Sequence, residues 1–492
     1  MVVTATAARA SNTGRISLRD PAGQLFLIGG RFLRVINREA AVDLKAFLAS
    51  TTARNSVGAG RLIGTEVLSE DAIEELRSTA EFKTLCERFA PCTVVEHEAA
   101  PFTSFAYEWP AAMLHAAAEL TLDLAESSLD EGFGLKDATP YNVLFRGPEP
   151  VFVDLLSFER RNPGDAIWLP YAQFMRAFVL PLLANRYLHA PLDQILIACR
   201  DGLEPEALYA MCGPLRRLLP PFLTLVSIPT WLGRRHDPDD LSIYQAKPAA
   251  EPGKARFILA SLFRHLRRTL ETVRPPAGKA SRWSDYMARQ SSYSDQDFEA
   301  KRDFVEQALR DYRPRNVLDV GCNTGYYSRL AAGAGARVVA IDADCVVIDE
   351  LWRGARAERL DVLPLVVDFT RPTPAIGWRN QECPSFLDRA RGAFDAVLML
   401  AVIHHMLVSE RIPLPEILAL TAELTTDIAV VEFVGPQDPM FRRIARGRDP
   451  LFADFSVSSF EAECRRHFRI IGSRRLANGN RWLYLLRKEK GC

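Results

Sequence analysis

The sequence predicts an α/β protein: a doubly wound, mainly parallel sheet in its carboxy-terminal part, preceded by a separate α+β domain. Three observations carry this expectation. Beyond about residue 313, short apolar runs and helical patterns alternate at the spacing of a doubly wound fold. Three of those runs in succession hold an acid at or near their carboxyl end, namely Asp319, Asp342 and Asp368. A stretch rich in Asp, Pro and Ala, residues 237–253, separates this half from a first half that opens on a hairpin pattern and continues largely helical.

The bulk composition sets the outer limits. A chain of 492 residues allows two or three domains with sizeable cores. Lysine plus arginine equals aspartate plus glutamate, at 61 each, so no net field draws the protein to nucleic acid or to a membrane. The 9 cysteines are scattered, with no C-x-x-C pair and no Cys/His ligand spacing. They read as reduced thiols, which implies neither a disulfide framework nor a zinc site, and no metal is expected. The opening residues lack an apolar stretch, so a flexible lead-in and a cytoplasmic protein are expected rather than a secreted one. The apolar segments 167–183 and 218–232 carry Arg176 and several prolines, and are read as buried helices of a soluble domain.

The expected layout is a lead-in over 1–20, an α+β domain over 21–236, a linker with a basic amphipathic helix over 237–280, and the doubly wound domain over 281–492. In the first domain, residues 25–28 and 32–36 pair through Gly29-Gly30 as a hairpin. Helical spacing follows over 38–50 and a strand over 61–68. A helix capped by Ser69 spans 69–77, and an amphipathic helix covers 113–129. Short strands are expected at 143–145 and 150–154, with helices over 168–232. The basic helix 255–273 presents either a solvated face or a surface for a partner or an acidic membrane.

The chemistry concentrates after Asn316-Val317-Leu318-Asp319-Val320, a buried parallel strand by its pattern. It runs into Gly321-Cys322-Asn323-Thr324-Gly325 and then a helix over 326–332. This is the carboxyl end of a first strand, where doubly wound sheets bind nucleotides. The spacing is GxxxG, without the middle glycine that makes room for a pyrophosphate, which disfavours NAD and FAD. Asp342 closes the next strand, 337–341, where an acid accepts from ribose hydroxyls. Asp368 closes a third, 362–367, and is suited to an adenine amino group. A fourth strand, 394–400, leads into His404-His405, a fifth, 427–433, carries Glu432, and strands at 469–473 and 481–486 close the domain as a hairpin.

This succession resembles the class I S-adenosylmethionine-dependent methyltransferases, whose fold is Rossmann-like. The resemblance implies S-adenosyl-L-methionine as cofactor. Asp319, Gly321, Cys322, Asn323 and Gly325 would frame its methionine end, Asp342 its ribose and Asp368 its adenine. Methyl transfer requires alignment of a nucleophile and, for some acceptors, a general base. Either His404 or His405 is placed for that role; the alternative is that one packs and the other faces solvent. Trp283, Tyr286 and Tyr293 form either an aromatic lid or part of the core. Glu432 either faces the acceptor or pairs with Arg442 or Arg443.

A second constellation lies at Asp137, Asn142 and Asp154. An acid, an Asn five positions on and a second acid after a short hairpin are how kinase-like folds arrange a catalytic base and metal ligands. The segment resembles the catalytic loop of aminoglycoside-type small-molecule kinases. It departs from them in Leu135-Lys136 before Asp137 and Leu155-Leu156 after Asp154, in lacking a Gly-rich loop over the first sixty residues, and in having only Lys45, on a helix, as a candidate lysine. A kinase-like fold without phosphotransfer is therefore expected. End to end, the sequence resembles a bacterial family of two-part, nodulation-protein-type methyltransferases through 134–142, 152–159, 316–325 and His404-His405. The resemblance implies a methyltransferase. A small-molecule or carbohydrate-type acceptor is expected, because no basic nucleic-acid surface stands out. The competing readings are a bifunctional phosphotransferase–methyltransferase and a non-catalytic cofactor-binding scaffold.

Overall fold

The computed structural model describes residues 13–15, 19–76, 82–83, 86–87, 93–233, 251–278, 281, 294–477 and 479–489. Trp283, Tyr286, Tyr293 and nearly all of the 237–253 stretch lie outside these residues. The chain divides into two compact units, residues 1–144 with 150–276, and residues 145–149 with 277–492.

The first unit begins with a five-stranded sheet of order β1-β2-β3-β5-β4, namely Thr13–Arg15, Gly23–Ile28, Arg31–Ile36, Thr93–His97 and Thr65–Val67, with every pairing antiparallel. Gly29 and Gly30 make the β2–β3 turn with φ of 57° and 83°, a left-handed pair that matches the twist of a tight hairpin. The helix expected over 38–50 is Arg38–Leu48, and a second helix, Thr51–Gly58, follows at once because Ser50 starts it by accepting from Ala53 N. The strand expected over 61–68 shrinks to β4, since Leu62 instead bridges to Phe152. Helix Ala111–Leu129 is buried almost all round rather than amphipathic, as befits a central helix packed on several sides. Two short two-stranded sheets follow, Phe133–Leu135 (β6) with Phe158–Arg160 (β9) and, between them in sequence, Val143–Arg146 (β7) with Glu149–Phe152 (β8). Helices make up most of the remainder. A sheet followed by a helical part, with the Asp137 loop and the β7–β8 pair between them in sequence, is the α+β order expected of the first domain.

The basic helix belongs to this unit and not to a linker. Helix Pro252–Thr272 buries Ala255, Leu259, Phe263, Leu266 and Leu270. Its Arg267 pairs with Asp123 at 2.7 Å and Glu126 at 2.6 Å, both on helix Ala111–Leu129. Its apolar stripe supplies the driving force, and the ion pairs fix its register. Among the described residues, no helix is long and apolar enough to cross a membrane.

The second unit holds a seven-stranded sheet of order β12-β11-β10-β13-β14-β16-β15. The strands are Asn316–Val320 (β10), Arg337–Asp342 (β11), Val362–Val366 (β12), Phe394–Met399 (β13), Thr425–Val434 (β14), Phe468–Arg475 (β15) and Arg481–Lys488 (β16). The first five pair in parallel, and β16 enters antiparallel between β14 and the edge strand β15. Helices shield the central strands on both faces, which is why these read as continuous apolar runs instead of alternating ones. The order reverses at β10, whose neighbours β11 and β13 lead to opposite edges. That switch point opens a crevice at the carboxyl ends of the strands.

Candidate functional site

A cavity of about 740 Å³ occupies this crevice. Asp319, Gly321, Cys322, Asn323, Asp342, Asp368 and His405 all line it. Gly325 and His404 do not.

Gly321 and Gly325 have φ of 68° and 80°, the left-handed region that favours glycine. A Cβ on Gly321 would stand 2.7 Å from Val402 Cγ1, and one on Gly325 2.2 Å from Leu351 Cδ1. The first glycine therefore lets the loop pass close beneath the β13 turn. The second seats helix Tyr326–Gly333 against helix Cys345–Glu358. The loop is tied to β11 because the amides of Gly321 and Cys322 both donate to the Ile341 carbonyl, at 2.8 and 3.1 Å.

Each acid has its own environment. Asp342 accepts from Asn323 N at 3.0 Å through Oδ2 and from Asp344 N at 2.9 Å through Oδ1. Burial raises its pKa, and these amide bonds oppose the rise. Asp368 accepts from the Thr370 hydroxyl at 2.6 Å and lies 3.5 Å from Arg371. Asp319 is buried at 3% exposure and accepts from the Ser328 hydroxyl at 2.6 Å. Burial pushes its carboxyl up to about 6, with the Ser328 bond and the Lys301 charge opposing.

The Asp319 shift carries a stability consequence. Its folded-state pKa lies above the ordinary 3.8, so between those values the folded chain holds a proton that the unfolded chain has released. Stability is thus expected to fall as pH rises through this window and to level off above about 6. Asp319→Asn is expected to remove this slope and to raise stability above it by about 2 kcal/mol. Urea unfolding at pH 5 and pH 8, without added ligand, is the measurement; identical pH slopes for both proteins would refute the assignment.

The histidines separate. His404 is 2% exposed, and neither ring nitrogen has a hydrogen-bond partner among the described residues. Burial drives its pKa well down, aided by the His405, Arg481 and Lys301 charges. It packs against His405, ring centres 4.3 Å apart. Helix Ile403–Val408 faces one histidine inward and turns the next to the cavity, because successive helical residues lie about 100° apart.

Several contributors carried no sequence signal. Helix Asp295–Tyr312 delivers Phe298 and Lys301 to the cavity, and Tyr326 and Tyr327 join them. Phe298 and Tyr326 pack with ring centres 4.9 Å apart. Lys301 Nζ reaches Glu432 at 2.7 Å, and burial lowers its pKa against the pull of that carboxylate. Glu432 also meets Arg481 at 3.2 Å, and Arg481 in turn holds Asp438 at 2.7 Å. Glu432 thus joins a buried charge network, in place of the expected acceptor contact or pairing with Arg442 or Arg443. The strand β16 brings Arg481 beside β14, a neighbour that no local pattern announces.

In the first unit, Asp137, Asn142 and Asp154 come together as a closed network. Asn142 Nδ2 donates to the Asp137 carbonyl at 3.4 Å and to Ser157 Oγ at 3.2 Å. Ser157 donates to Asp154 Oδ2 at 2.7 Å, while Arg34 of β3 holds Asp154 Oδ1 at 2.7 Å and pairs with Asp20 as well. Burial of Asp154 pushes its carboxyl up, yet the Arg34 charge holds its pKa well below the usual carboxylate range. Both of its oxygens are thus committed to protein partners. Asp137 is pushed up by burial and by the Asp154 charge. One His/carboxylate cluster with ligand spacing exists among the described residues, His115, Glu119 and Glu271, but Arg274 bridges both carboxylates at 3.0 and 2.5 Å.

Residues 293–478 match the family model described as a methyltransferase domain. Over 488 residues the chain is 28% identical to the nodulation protein NoeA of Rhizobium meliloti (strain 1021), covering 98% of each. Over 109 residues it is 30% identical to a tRNA U34 carboxymethyltransferase of Psychrobacter sp. (strain PRwf-1), covering 20% of this chain and 30% of that one. Among solved structures, the N-methyltransferase NodS from Bradyrhizobium japonicum WM9 aligns at a TM-score of 0.30 and 14% identity, over 40% of this chain and 100% of that chain.

Proposed function

We propose that the chain is a methyltransferase of class I build that binds S-adenosyl-L-methionine in the Asp319–Asp368 cavity and methylates a small-molecule acceptor. The observation that carries the reading is the convergence of the Gly321 loop, Asp342 and Asp368 on one crevice at the strand switch point. Bound there, the cofactor supplies a methyl group that is already electrophilic.

The chain's own residues supply binding and alignment. Asp342, half-buried and held by two amides, is set to accept from ribose hydroxyls without moving. Asp368 offers its carboxylate to the adenine side, and Asp319 with Gly321, Cys322 and Asn323 frames the methionine end. Phe298, Tyr326 and Tyr327 wall the cavity and exclude water. His405 is the residue placed to take a proton from an acceptor nucleophile, since it alone of the two histidines lines the cavity. With an acceptor in hand, His405→Gln is expected to lower kcat by about 10²-fold or more and to leave cofactor Kd unchanged. His404→Ala, which opens a buried space, is expected instead to lower the melting temperature. Equal kcat for His405→Gln and the parent would remove the base.

The kinase-like unit is assigned to acceptor binding or regulation and not to phosphotransfer. The commitment of Asp154 to Arg34 and Ser157 supports this, because a metal would have to displace a buried guanidinium. Calorimetric titration of the whole chain tests both assignments together. Saturable binding of S-adenosylmethionine and no heat with ATP–magnesium are expected; magnesium-dependent ATP binding lost in Asp154→Ala would establish the bifunctional alternative.

A further inference from the structure

The cavity of the second unit is electrically divided. Its acids lie toward β10, β11 and β12, and each is already engaged. Asp319 has Ser328, Asp342 has two backbone amides, and Asp368 has Thr370. Glu410, another lining residue, pairs with Arg371, and the one lining lysine, Lys301, pairs with Glu432.

The segment after β14 brings charge of the opposite sign. Arg443 lies on helix Pro439–Ala445, and Arg446 and Gly447 follow with φ of 52° and 78°. This left-handed pair ends the helix and turns the chain, so that Arg443, Arg446 and Arg448, on both sides of the turn, line the same cavity. None of the three makes an ion pair among the described residues; Arg448 donates only to the Ala445 carbonyl, at 3.0 Å. Met440 and Ile444 of the same helix supply apolar lining beside them.

Three guanidiniums in one concavity, with no ion-pair partner among the described residues, raise the local positive potential and match the fork geometry of an oxyanion. We propose that the methyl acceptor carries an oxyanion, a phosphate or a carboxylate, held by Arg443, Arg446 and Arg448, with an apolar part against Met440 and Ile444. This deepens the methyltransferase reading and rests on it. The competing oxyanion is the carboxylate of the cofactor's own methionine end.

The test uses the whole chain saturated with S-adenosylhomocysteine, so that the cofactor's carboxylate is already in place. Phenyl phosphate and benzoate are the probes, benzyl alcohol is the neutral control, and binding is read by calorimetry and ligand-observed NMR. The parent protein is expected to bind at least one anion and not the alcohol, and the preferred anion tells phosphate from carboxylate. Arg443→Gln with Arg446→Gln is expected to weaken anion binding by about tenfold or more while leaving S-adenosylhomocysteine affinity unchanged. Both side chains are exposed, so the fold is expected to survive; Arg448→Gln alone gives an independent second reading. Binding of S-adenosylhomocysteine with neither anion bound would overturn the proposal, as would a double variant that weakens the nucleoside and spares the probes. Salt-steep binding of transfer RNA, lost in the double variant, would assign the arginines to a polyanion and overturn the small-acceptor form. No binding of S-adenosylhomocysteine at all would instead overturn the methyltransferase reading beneath it.

Discussion

Titration of the Asp342→Ala protein with S-adenosylmethionine is expected to show a loss of affinity of at least about 100-fold relative to the parent chain. Hydrogen bonds to a charged group contribute about 1.5–3 kcal/mol each, and a ribose offers two hydroxyls to one carboxylate. The effect is amplified because the same carboxylate holds the loop amides of Asn323 and Asp344 in place. Asp342→Asn separates the two contributions. It keeps an acceptor oxygen for the ribose but cannot receive two amides and two hydroxyls on carboxylate oxygens, so an intermediate loss is expected. Burial raises the Asp342 pKa, so affinity in the parent is also expected to decline as pH falls toward the carboxylate range. Undiminished binding by Asp342→Ala would place the cofactor elsewhere.

Arg481→Ala is expected to produce the largest loss of stability in the second unit, about 3–5 kcal/mol, read as a lowered urea midpoint. Arg481 is 1% exposed and stands between Glu432, at 0%, and Asp438, at 2%. Removing it leaves two buried carboxylates with Lys301 as their remaining cation, and an unpaired buried charge costs far more than the pair gains. The double change Arg481→Met with Glu432→Gln takes out opposite charges together and is expected to recover much of the loss. If it recovers none, the network contributes through shape and not through charge. Because Lys301 lines the cavity, the network also joins the stability of β14 and β16 to the floor of the candidate site.

The doubly wound sheet was legible from sequence because its evidence is local. Parallel strands buried on both faces read as continuous apolar runs, and Asn316–Val320 matches the expected strand at both ends. The acids at strand ends and the glycines of the β10 turn were legible for the same reason: a loop that needs φ near +70° and a buried carboxylate each leave a mark at one position. The first unit was harder to read. Helix Ala111–Leu129 looked amphipathic because its polar residues Glu119, Asp123 and Glu126 suggest a wet face, but Arg267 and Arg274, some 150 positions away, cover that face with ion pairs.

What the sequence by itself determined is the chemistry of single positions: which loop needs glycine's left-handed backbone, which strands carry acids, and which segments are long and apolar enough to form the core. What only the tertiary structure decided is pairing between distant positions. Whether His404 or His405 faces the cavity depends on the rotation of one short helix. Whether Glu432 meets Arg442, Arg443 or Arg481 depends on which strand lies beside β14. Whether Asp154 is open to a metal depends on an arginine 120 residues earlier. The reason is physical: backbone propensity and hydrophobic period act over a few residues along the chain, whereas burial and charge pairing are set by whatever the folded chain brings within about 4 Å in space.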